Sequence, residues 1–451
     1  MTKLIEGSLI ALVFAVAACA GDDETGEDTI GEAELDLIVS PQSVHSFFAS
    51  SGYGVVIRVT DTAHTAFVPA FTVYDPAGNT VKSASGASVA GTSFQAAMTG
   101  TYSVRVYDAA HPQATGAIYA WYLAVAPGAN KDGVLVAGGV KAGHIDEGEL
   151  DSYTFTAASG EGIALRMADV AGGALTPAFY VYGPAGNLIS SASGANVAGE
   201  ALPAPSTGTY TVVVFDWSSG LASTGDYKLY FIKAPGANQG GALSPGGVKL
   251  GTIEKGELDS YTFTAASGEG IMLRATDVAG GALTPAFYVY GPAGNLISSA
   301  SGANVAGEAL PAPSTGTYTV VVFDWSSGLA STGDYKLYYT RAPGANQGGA
   351  LISGTAIVEH IDKGELDSYT FTAVSGNGIA LSVTDIAAGA LTPGFSVYGP
   401  TGNLVHSATG PIVASKSFTA ASSGTYTLVV YDWSSGLAST GDYQLGYTRT
   451  P

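Results

Sequence analysis

An internal repeat with a step of 108 residues constrains this chain more than any other feature. The segment Ser-Tyr-Thr-Phe-Thr-Ala places its tyrosine at Tyr153, Tyr261 and Tyr369, and one further step back from Tyr153 reaches His45. The unit therefore occurs four times. It has the size of a domain rather than of a solenoid repeat, so we predict that each copy has its own core.

Short apolar stretches between Gly- and Pro-rich turns predict the secondary structure of each unit. In Gly208–Phe215 the side chains of Tyr210, Val212 and Val214 share one face, and Phe179–Tyr182 is a short strand before a Gly-Pro-Ala-Gly-Asn turn. Runs with helical spacing and caps are lacking. About seven or eight antiparallel strands per unit indicate an all-β chain of four tandem β-sandwich domains.

Four motifs follow one another in the second and third units: Asp-Ser-Tyr-Thr-Phe, Pro-Ala-Phe-Tyr-Val-Tyr-Gly-Pro-Ala-Gly-Asn, Gly-Thr-Tyr-Thr-Val-Val-Val and Gly-Asp-Tyr-Lys-Leu. This order resembles the bacterial pre-peptidase C-terminal domain, and the resemblance covers nearly all of residues 31–451. It implies a jelly-roll-like sandwich of the kind appended to secreted hydrolases. Relatives of that family include collagen- and carbohydrate-binding modules, some of them stabilised by calcium. No peptidase region precedes the units in this sequence, so we expect them to act without one.

The first residues are typical of a secretion signal. Leu9–Ala18 is an apolar run that is too short to span a bilayer as a helix, and it is followed by Cys19, the single cysteine. The run, the small residues and the cysteine resemble the lipobox of bacterial lipoproteins. The resemblance implies cleavage before Cys19, lipidation of its thiol and a membrane anchor. The alternative is an ordinary secretory signal that is cut near Ala18 and leaves Cys19 free.

A small, polar and acidic segment follows Cys19 and is typical of a flexible tether. Ala20 stands where some bacteria place the aspartate that retains lipoproteins in the inner membrane. We therefore expect an exported protein that is lipid-anchored in the bacterial outer membrane and faces the cell surface. The boundaries between units fall in Ala-Pro-Gly-Ala-Asn segments. The predicted organisation is a lipoprotein signal peptide at 1–18, an acidic tether at 19–30, and repeats at 31–130 (divergent), 131–238, 239–346 and 347–451.

The net charge of −20 argues against a nucleic-acid partner, because such an interface needs clustered Lys and Arg, and only 17 basic residues are spread over the chain. Catalysis lacks a motif as well. There is no Gly-x-Ser-x-Gly elbow and no His-Glu-x-x-His helix. No histidine occurs in all four units, so we predict a protein that is not an enzyme and has no catalytic residues. The six histidines are His45, His64, His111, His144, His360 and His406.

One stretch of twelve residues, Asp-Trp-Ser-Ser-Gly-Leu-Ala-Ser-Thr-Gly-Asp-Tyr, is identical in repeats 2, 3 and 4. It occupies Asp216–Tyr227, Asp324–Tyr335 and Asp432–Tyr443, and each copy lies between two predicted strands. Repeat 1 has a different sequence there, beginning at Asp108. An exposed loop aromatic can stack on a sugar or anchor a partner, which makes Trp217, Trp325 and Trp433 candidate ligand-binding residues. The alternative is that each Trp covers the end of its own core.

Calcium is the only cofactor that the residues suggest, since carboxylates are abundant and usable thiols are absent. Two sets of paired acids recur. The first brackets the twelve-residue loop: Asp216 and Asp226, Asp324 and Asp334, Asp432 and Asp442. The second precedes a strand: Glu149 and Asp151, Glu257 and Asp259, Glu365 and Asp367. The alternative is that these side chains bond nearby backbone amides in turns, because neither spacing matches an established calcium loop.

Repeats 2 and 3 are nearly identical, and two of their few differences exchange Ala and Met: Ala164 with Met272, and Met167 with Ala275. The exchange keeps the core volume if both positions point inward. Copies this similar indicate that number or reach matters. We predict a non-catalytic, lipid-anchored envelope protein whose modules form a binding or adhesion array for extracellular glycan or protein. The alternative is a structural spacer or stalk without a ligand.

Overall fold

The computed structural model describes residues 34–37 and 43–451, apart from 282, 388 and 390. The predicted signal peptide, Cys19 and the acidic tether lie outside the described residues. Within that part of the chain all the regular secondary-structure elements are β-strands. Among the same residues, no helix has the length and apolar character needed to cross a bilayer.

The strands of the first two repeats follow the predicted turns. Repeat 1 contains β1 (Glu34–Leu37), β2 (Ser43–Ala49), β3 (Gly54–Thr60), β4 (Pro69–Tyr74), β5 (Thr80–Ser85), β6 (Val89–Gln95), β7 (Gly100–Asp108) and β8 (Ile118–Ala126). Repeat 2 contains β9 (Gly139–Ile145), β10 (Leu150–Ala157), β11 (Gly162–Asp169), β12 (Pro177–Tyr182), β13 (Leu188–Ser193), β14 (Val197–Pro203), β15 (Gly208–Asp216) and β16 (Gly225–Ala234).

The last two repeats have the same eight strands in the same order. Repeat 3 contains β17 (Gly247–Ile253), β18 (Leu258–Ala265), β19 (Gly270–Asp277), β20 (Pro285–Tyr290), β21 (Leu296–Ser301), β22 (Val305–Pro311), β23 (Gly316–Asp324) and β24 (Gly333–Ala342). Repeat 4 contains β25 (Ile357–Ile361), β26 (Leu366–Ala373), β27 (Gly378–Asp385), β28 (Pro393–Tyr398), β29 (Leu404–Thr409), β30 (Val413–Thr419), β31 (Gly424–Asp432) and β32 (Gly441–Thr450). All four sets lie within the predicted repeat ranges.

Each repeat folds into two four-stranded antiparallel sheets. In repeat 1 the strand orders are β1-β8-β3-β6 and β2-β7-β4-β5, and the other three repeats have equivalent orders. This is the eight-stranded jelly-roll arrangement. The predicted all-β fold of four tandem jelly-roll-like sandwiches is therefore confirmed. We name the sheet that contains the second strand of each repeat the leading sheet, and the sheet that contains the first strand the trailing sheet.

The core of each sandwich lies between its leading and trailing sheets. Among the described residues, each repeat has one cluster of buried apolar side chains between its two sheets. In repeat 2 the cluster includes Tyr210, Val212 and Val214, the face predicted from alternation. The two positions of the Ala and Met exchange do not both point inward, as the expectation of a constant core volume requires. Met167 lies in this core, whereas Met272 lies on the outer face of its sheet. The two positions are three residues apart in the strand and therefore point to opposite sides.

Candidate functional site

The twelve-residue stretch begins with a buried aspartate that organises the loop between the last two strands of its repeat. The Asp216 side chain is fully buried. Its Oδ1 accepts hydrogen bonds from the amides of Thr176 at 3.0 Å and Ser218 at 3.1 Å, and its Oδ2 accepts one from the Ser223 amide at 3.1 Å. The Ser218 hydroxyl donates to the same Oδ2. The carboxylate therefore fixes the loop backbone, as an Asx-type turn does.

A leucine within the loop reaches across to the preceding repeat. Leu221 has φ of 58°, a left-handed conformation that is rare for a bulky residue. Its Cδ1 lies against Gly91 of repeat 1, where an added Cβ would be only 2.7 Å away. Gly91 therefore leaves the space that the leucine fills. The same pairs recur as Leu329 on Gly199 and Leu437 on Gly307.

A buried arginine also crosses from one repeat to the next. Arg58 is only 3% exposed, and its Nη2 donates to the main-chain oxygen of Asp216 at 2.7 Å. Its guanidinium lies over the Phe215 ring, 4.8 Å from the centroid, which is a favourable cation–π geometry. Burial lowers the pKa of Arg58 to about 10, with the charge of Asp216 acting in the opposite direction. The side chain thus stays protonated at neutral pH.

The equivalent arginines occupy the next two boundaries between repeats. Arg274 Nη2 donates to the Asp432 main-chain oxygen at 2.8 Å and lies over Tyr431. Arg166 lies over Phe323 at 4.7 Å. Burial lowers the pKa of both to about 10. The Nη1 atoms of all three arginines are buried and find no hydrogen-bond partner among the described residues.

These contacts belong to a larger surface, which we name the joint: the outer face of one trailing sheet packed against the outer face of the next leading sheet. The apolar clusters at the three boundaries each combine residues from two repeats. Val213 and Phe215 point away from the core of repeat 2, yet are at most 1% exposed because they pack on repeat 1. At the first joint the partners from repeat 1 include Val56, Ala120, Tyr122 and Ala124.

The turn after the fourth strand adds a backbone contact to each joint. The Gly54 amide donates to the Gly186 oxygen at 2.7 Å, and Gly186 has φ of 81° in its Pro-Ala-Gly-Asn turn. Tyr182 packs its ring directly on Gly54, so that an added Cβ there would lie 2.1 Å from the ring. The pairs Gly162 with Gly294 and Gly270 with Gly402 repeat the bond at 2.8 Å.

Two of the candidate tryptophans, Trp217 and Trp325, line clefts at the joints. Trp217 is 50% exposed and packs beside Phe215, with ring centroids 5.9 Å apart. It forms part of a cleft of about 290 Å³ together with Arg58, Tyr180 and Leu221. Trp325 lines an equivalent cleft of about 270 Å³ that also includes Glu200. Trp433 is 54% exposed. Ligand binding by these residues stays a prediction, but their location at a boundary between repeats was not foreseen.

The acids that bracket the loop are not brought together. Asp216 ends β15 in the leading sheet, whereas Asp226 lies in β16 of the trailing sheet and its Oδ1 is 2.6 Å from His144 Nδ1. The equivalent pair of Asp442 and His360 has the same distance. These hydrogen bonds raise the pKa of both histidines. In repeat 3, Asp334 accepts a hydrogen bond from Thr252 instead.

The aspartates of the second set lie in partly buried networks of hydrogen bonds, which Glu149 joins through Lys131 in repeat 2. Glu149 and Asp151 both contact Lys131 Nζ, at 2.5 and 3.3 Å. The Tyr227 hydroxyl donates to Asp151 and lies 2.6 Å from the Tyr153 hydroxyl. The equivalent networks join Asp259, Tyr335 and Tyr261 in repeat 3, and Asp367, Tyr443 and Tyr369 in repeat 4.

Burial raises the pKa of the network aspartates, to about 6 for Asp151 and about 7 for Asp367, although the tyrosine hydrogen bond acts in the opposite direction. It raises the pKa of Asp259 as well. Across the described residues, no group of three or more His, Cys, Asp or Glu side chains has the arrangement of a metal site. Calcium binding therefore stays a prediction that rests on the sequence.

The roles of the arginine and of the glycine in each joint were not predicted from the sequence. A signal was present in the strand patterns. The stretch Thr-Val-Val-Val-Phe at Thr211–Phe215 is apolar on both faces, which is typical of a strand that is covered on both sides. The equivalent strand of repeat 1 alternates, because the polar residues Ser103 and Arg105 separate Tyr102, Val104 and Val106. The second signal was an arginine inside the apolar third strand of repeats 1, 2 and 3. Repeat 4 has a serine at this position.

No family model matches this chain, and no curated protein matches it. Among solved structures, the pre-peptidase C-terminal domain of a collagenase from Bacillus anthracis is 22% identical, with a TM-score of 0.19, and the match covers 22% of this chain and 93% of that one. A triple jelly-roll protein of an archaeal virus is 13% identical, with a TM-score of 0.18, and the match covers 68% of this chain and 90% of that one. The jelly-roll assignment rests on the strand order and not on these matches.

Proposed function

We propose that this protein is a non-catalytic, lipid-anchored spacer of the cell envelope, with four sandwiches joined into one stiff stack of eight sheets. The observation that carries this proposal is the burial of Val213, Val321 and Val429, each 0% exposed on a face that points away from its own core. Independent modules on flexible linkers would keep such positions polar. A continuous apolar joint instead resists bending between neighbours.

The proposed spacer has a definite reach. Stacked sheets pack about 10 Å apart, so eight of them place the outermost sheets on the order of 70 Å from each other. The signal-like segment before Cys19 and the acidic residues after it support a lipid anchor and a tether that carry this stack on the outer membrane. The motif order further supports kinship of the units with the pre-peptidase C-terminal family.

A second candidate function is ligand binding in the joint clefts. Half-exposed Trp217 and Trp325 each offer an indole face beside a tyrosine, and Glu200 places a carboxylate in the second cleft. Aromatic faces with nearby acceptors suit the apolar face and hydroxyls of a sugar ring. A glycan array probed with residues 31–451 and with a Trp217, Trp325 and Trp433 triple alanine variant tests this function. Binding that is lost only in the variant would favour it.

Small-angle X-ray scattering tests the spacer. We expect residues 31–451 to scatter as a single extended body with the dimensions of the stack. A variant with a loosened joint, Arg166→Ser with Gly199→Ser, should give a broader distance distribution. A native chain that scatters as four independently moving bodies would contradict the proposal.

A further inference from the structure

We propose that the joint is a self-recognition surface, and that repeats 1 and 4 are caps that stop it from pairing one chain with another. This inference goes beyond the spacer function and does not depend on a membrane anchor. It rests on the residues that differ between the two outer repeats and the two inner ones.

The joint has two unlike halves. Its trailing half presents the buried arginine and the glycine that receives the loop leucine, as in Arg166 and Gly199. Its leading half presents apolar strand residues and the loop, as in Val321, Phe323 and Leu329. Repeats 2 and 3 carry both halves. Such an interface is head-to-tail, and a head-to-tail interface grows into open filaments unless its ends are closed.

The leading sheet of repeat 1 lacks its half of the joint. Arg105 stands where repeat 2 has Val213, Ala109 replaces the tryptophan, and Gln113 replaces the loop leucine. Arg105 is exposed, and its guanidinium lies 5.0 Å from the centre of the Tyr74 ring. Tyr74 is the counterpart of the tyrosine that packs on a preceding repeat elsewhere. Docking a trailing sheet here would bury Arg105 without the contacts that the joint arginines have, which is costly.

The trailing sheet of repeat 4 lacks the other half. Ser382 replaces the arginine, Ser415 replaces the receiving glycine, and Gly446 stands where repeats 2 and 3 have Tyr230 and Tyr338. The burial pattern agrees with this loss. Strand β27 alternates between buried and half-buried residues, whereas β11 and β19 are buried along their whole length. Terminal repeats with a polar outer face are the usual way in which repeat arrays are closed.

A cleavable chain tests recognition without relying on fragments to fold alone. A protease site inserted after Asn238 of residues 31–451 is cut once the protein has folded. We expect the halves to stay together as a 1:1 complex in size-exclusion chromatography with light scattering. Arg166→Ser with Gly199→Ser introduces the serines that repeat 4 has at the equivalent positions. This double variant should weaken the complex about tenfold or more. Arg274→Ser with Gly307→Ser alters the next joint and is the matched control, for which no change is expected. Native halves that separate while folded would overturn the proposal.

Shortened chains test the caps. Each repeat has its own core, so 31–346 and 131–451 retain three complete sandwiches. The first exposes only a trailing half and the second only a leading half. We expect each to be monomeric alone and the mixture to form a 1:1 complex, while 31–451 binds neither. Failure of the two shortened chains to associate, or equal binding by 31–451, would overturn the capping role.

Discussion

Arg58 Nη2 and the main-chain oxygen of Asp216 form a 2.7 Å hydrogen bond between residues 158 positions apart. The bond joins two repeats, and it connects the joint to the residue whose carboxylate fixes the loop. The role of the twelve-residue stretch follows from it. The aspartate side chain holds the loop of its own repeat, while the aspartate backbone holds the repeat before it.

Removal of the joint arginine should destabilise the boundary between repeats 1 and 2. We expect Arg58→Ala to lower the free energy of unfolding by about 2 kcal/mol, because it leaves a cavity and an unpaired carbonyl. Arg58→Met fills the space without a charge and should lie within about 1 kcal/mol of the native protein, since buried charges can be replaced by apolar groups at little cost. Urea unfolding of both variants, with exposed Arg105→Ala as control, measures the effect. Equal results for Arg58→Ala and Arg105→Ala would contradict it.

A methyl group at the close approach of two repeats should strain the joint. In Gly162→Ala the new Cβ would lie 2.2 Å from the Tyr290 ring and 2.9 Å from the Gly294 oxygen. We expect a loss of about 1–3 kcal/mol from overpacking. The control is Gly378→Ala in repeat 4, where the new atom meets only the Thr450 side chain, whose Oγ1 can move away. Thermal unfolding should separate the two variants, and similar melting temperatures would speak against the joint.

The two acids of the loop should differ sharply in their effect on stability. Asp324→Ala removes the acceptor for the amides of Thr284, Ser326 and Ser331, and we expect it to cost about 3 kcal/mol. Exposed Asp334→Ala should cost less than about 0.5 kcal/mol.

Calorimetry with and without millimolar calcium checks this prediction and the calcium hypothesis together. A rise in melting temperature with calcium that either substitution removes would indicate a metal site rather than a turn.

The network aspartates predict that stability falls as the pH rises. Burial raises the folded pKa of Asp367 to about 7 and of Asp151 to about 6, above the ordinary value near 4 in the unfolded chain. The folded state therefore holds protons that the unfolded state has lost, and this contribution disappears between about pH 4 and pH 7. We expect Asp367→Asn to reduce that slope, because Asn still accepts the Tyr443 hydrogen bond without titrating. Denaturation series at several pH values measure it, and an unchanged slope would refute the assignment.

Lipidation of Cys19 predicts a simple change of location. In a bacterial host that processes lipoproteins, the native chain should sediment with the outer membrane and take up a labelled fatty acid. Cys19→Ser should abolish both, whereas Ala20→Asp should move the protein to the inner membrane in hosts that use that signal. A Cys19→Ser chain that stays lipid-modified would rule out this anchor.

The sequence determined the class of fold because its signals are local or periodic. The two-residue period that puts Tyr210, Val212 and Val214 on one face depends only on neighbouring residues. The step that connects Tyr153, Tyr261 and Tyr369 depends only on self-comparison. The inward faces, such as Tyr210 and Val212, followed from strand periodicity and are in the core. The fold of four sandwiches could therefore be predicted without coordinates.

Only the tertiary structure decided what the second face of each strand does. Val213 and Phe215 read as outward residues of an isolated sandwich, and Leu221 as part of an exposed loop. Val213 and Phe215 are buried, and Leu221 is partly covered, because the trailing sheet of the preceding repeat lies against them. The apolar second face of Thr211–Phe215 indicates that something covers the strand, but the strand pattern alone does not indicate which distant sheet does so. The same reason hides the joint role of Arg58 and Gly91, since each is explained by a side chain or carbonyl of the next repeat.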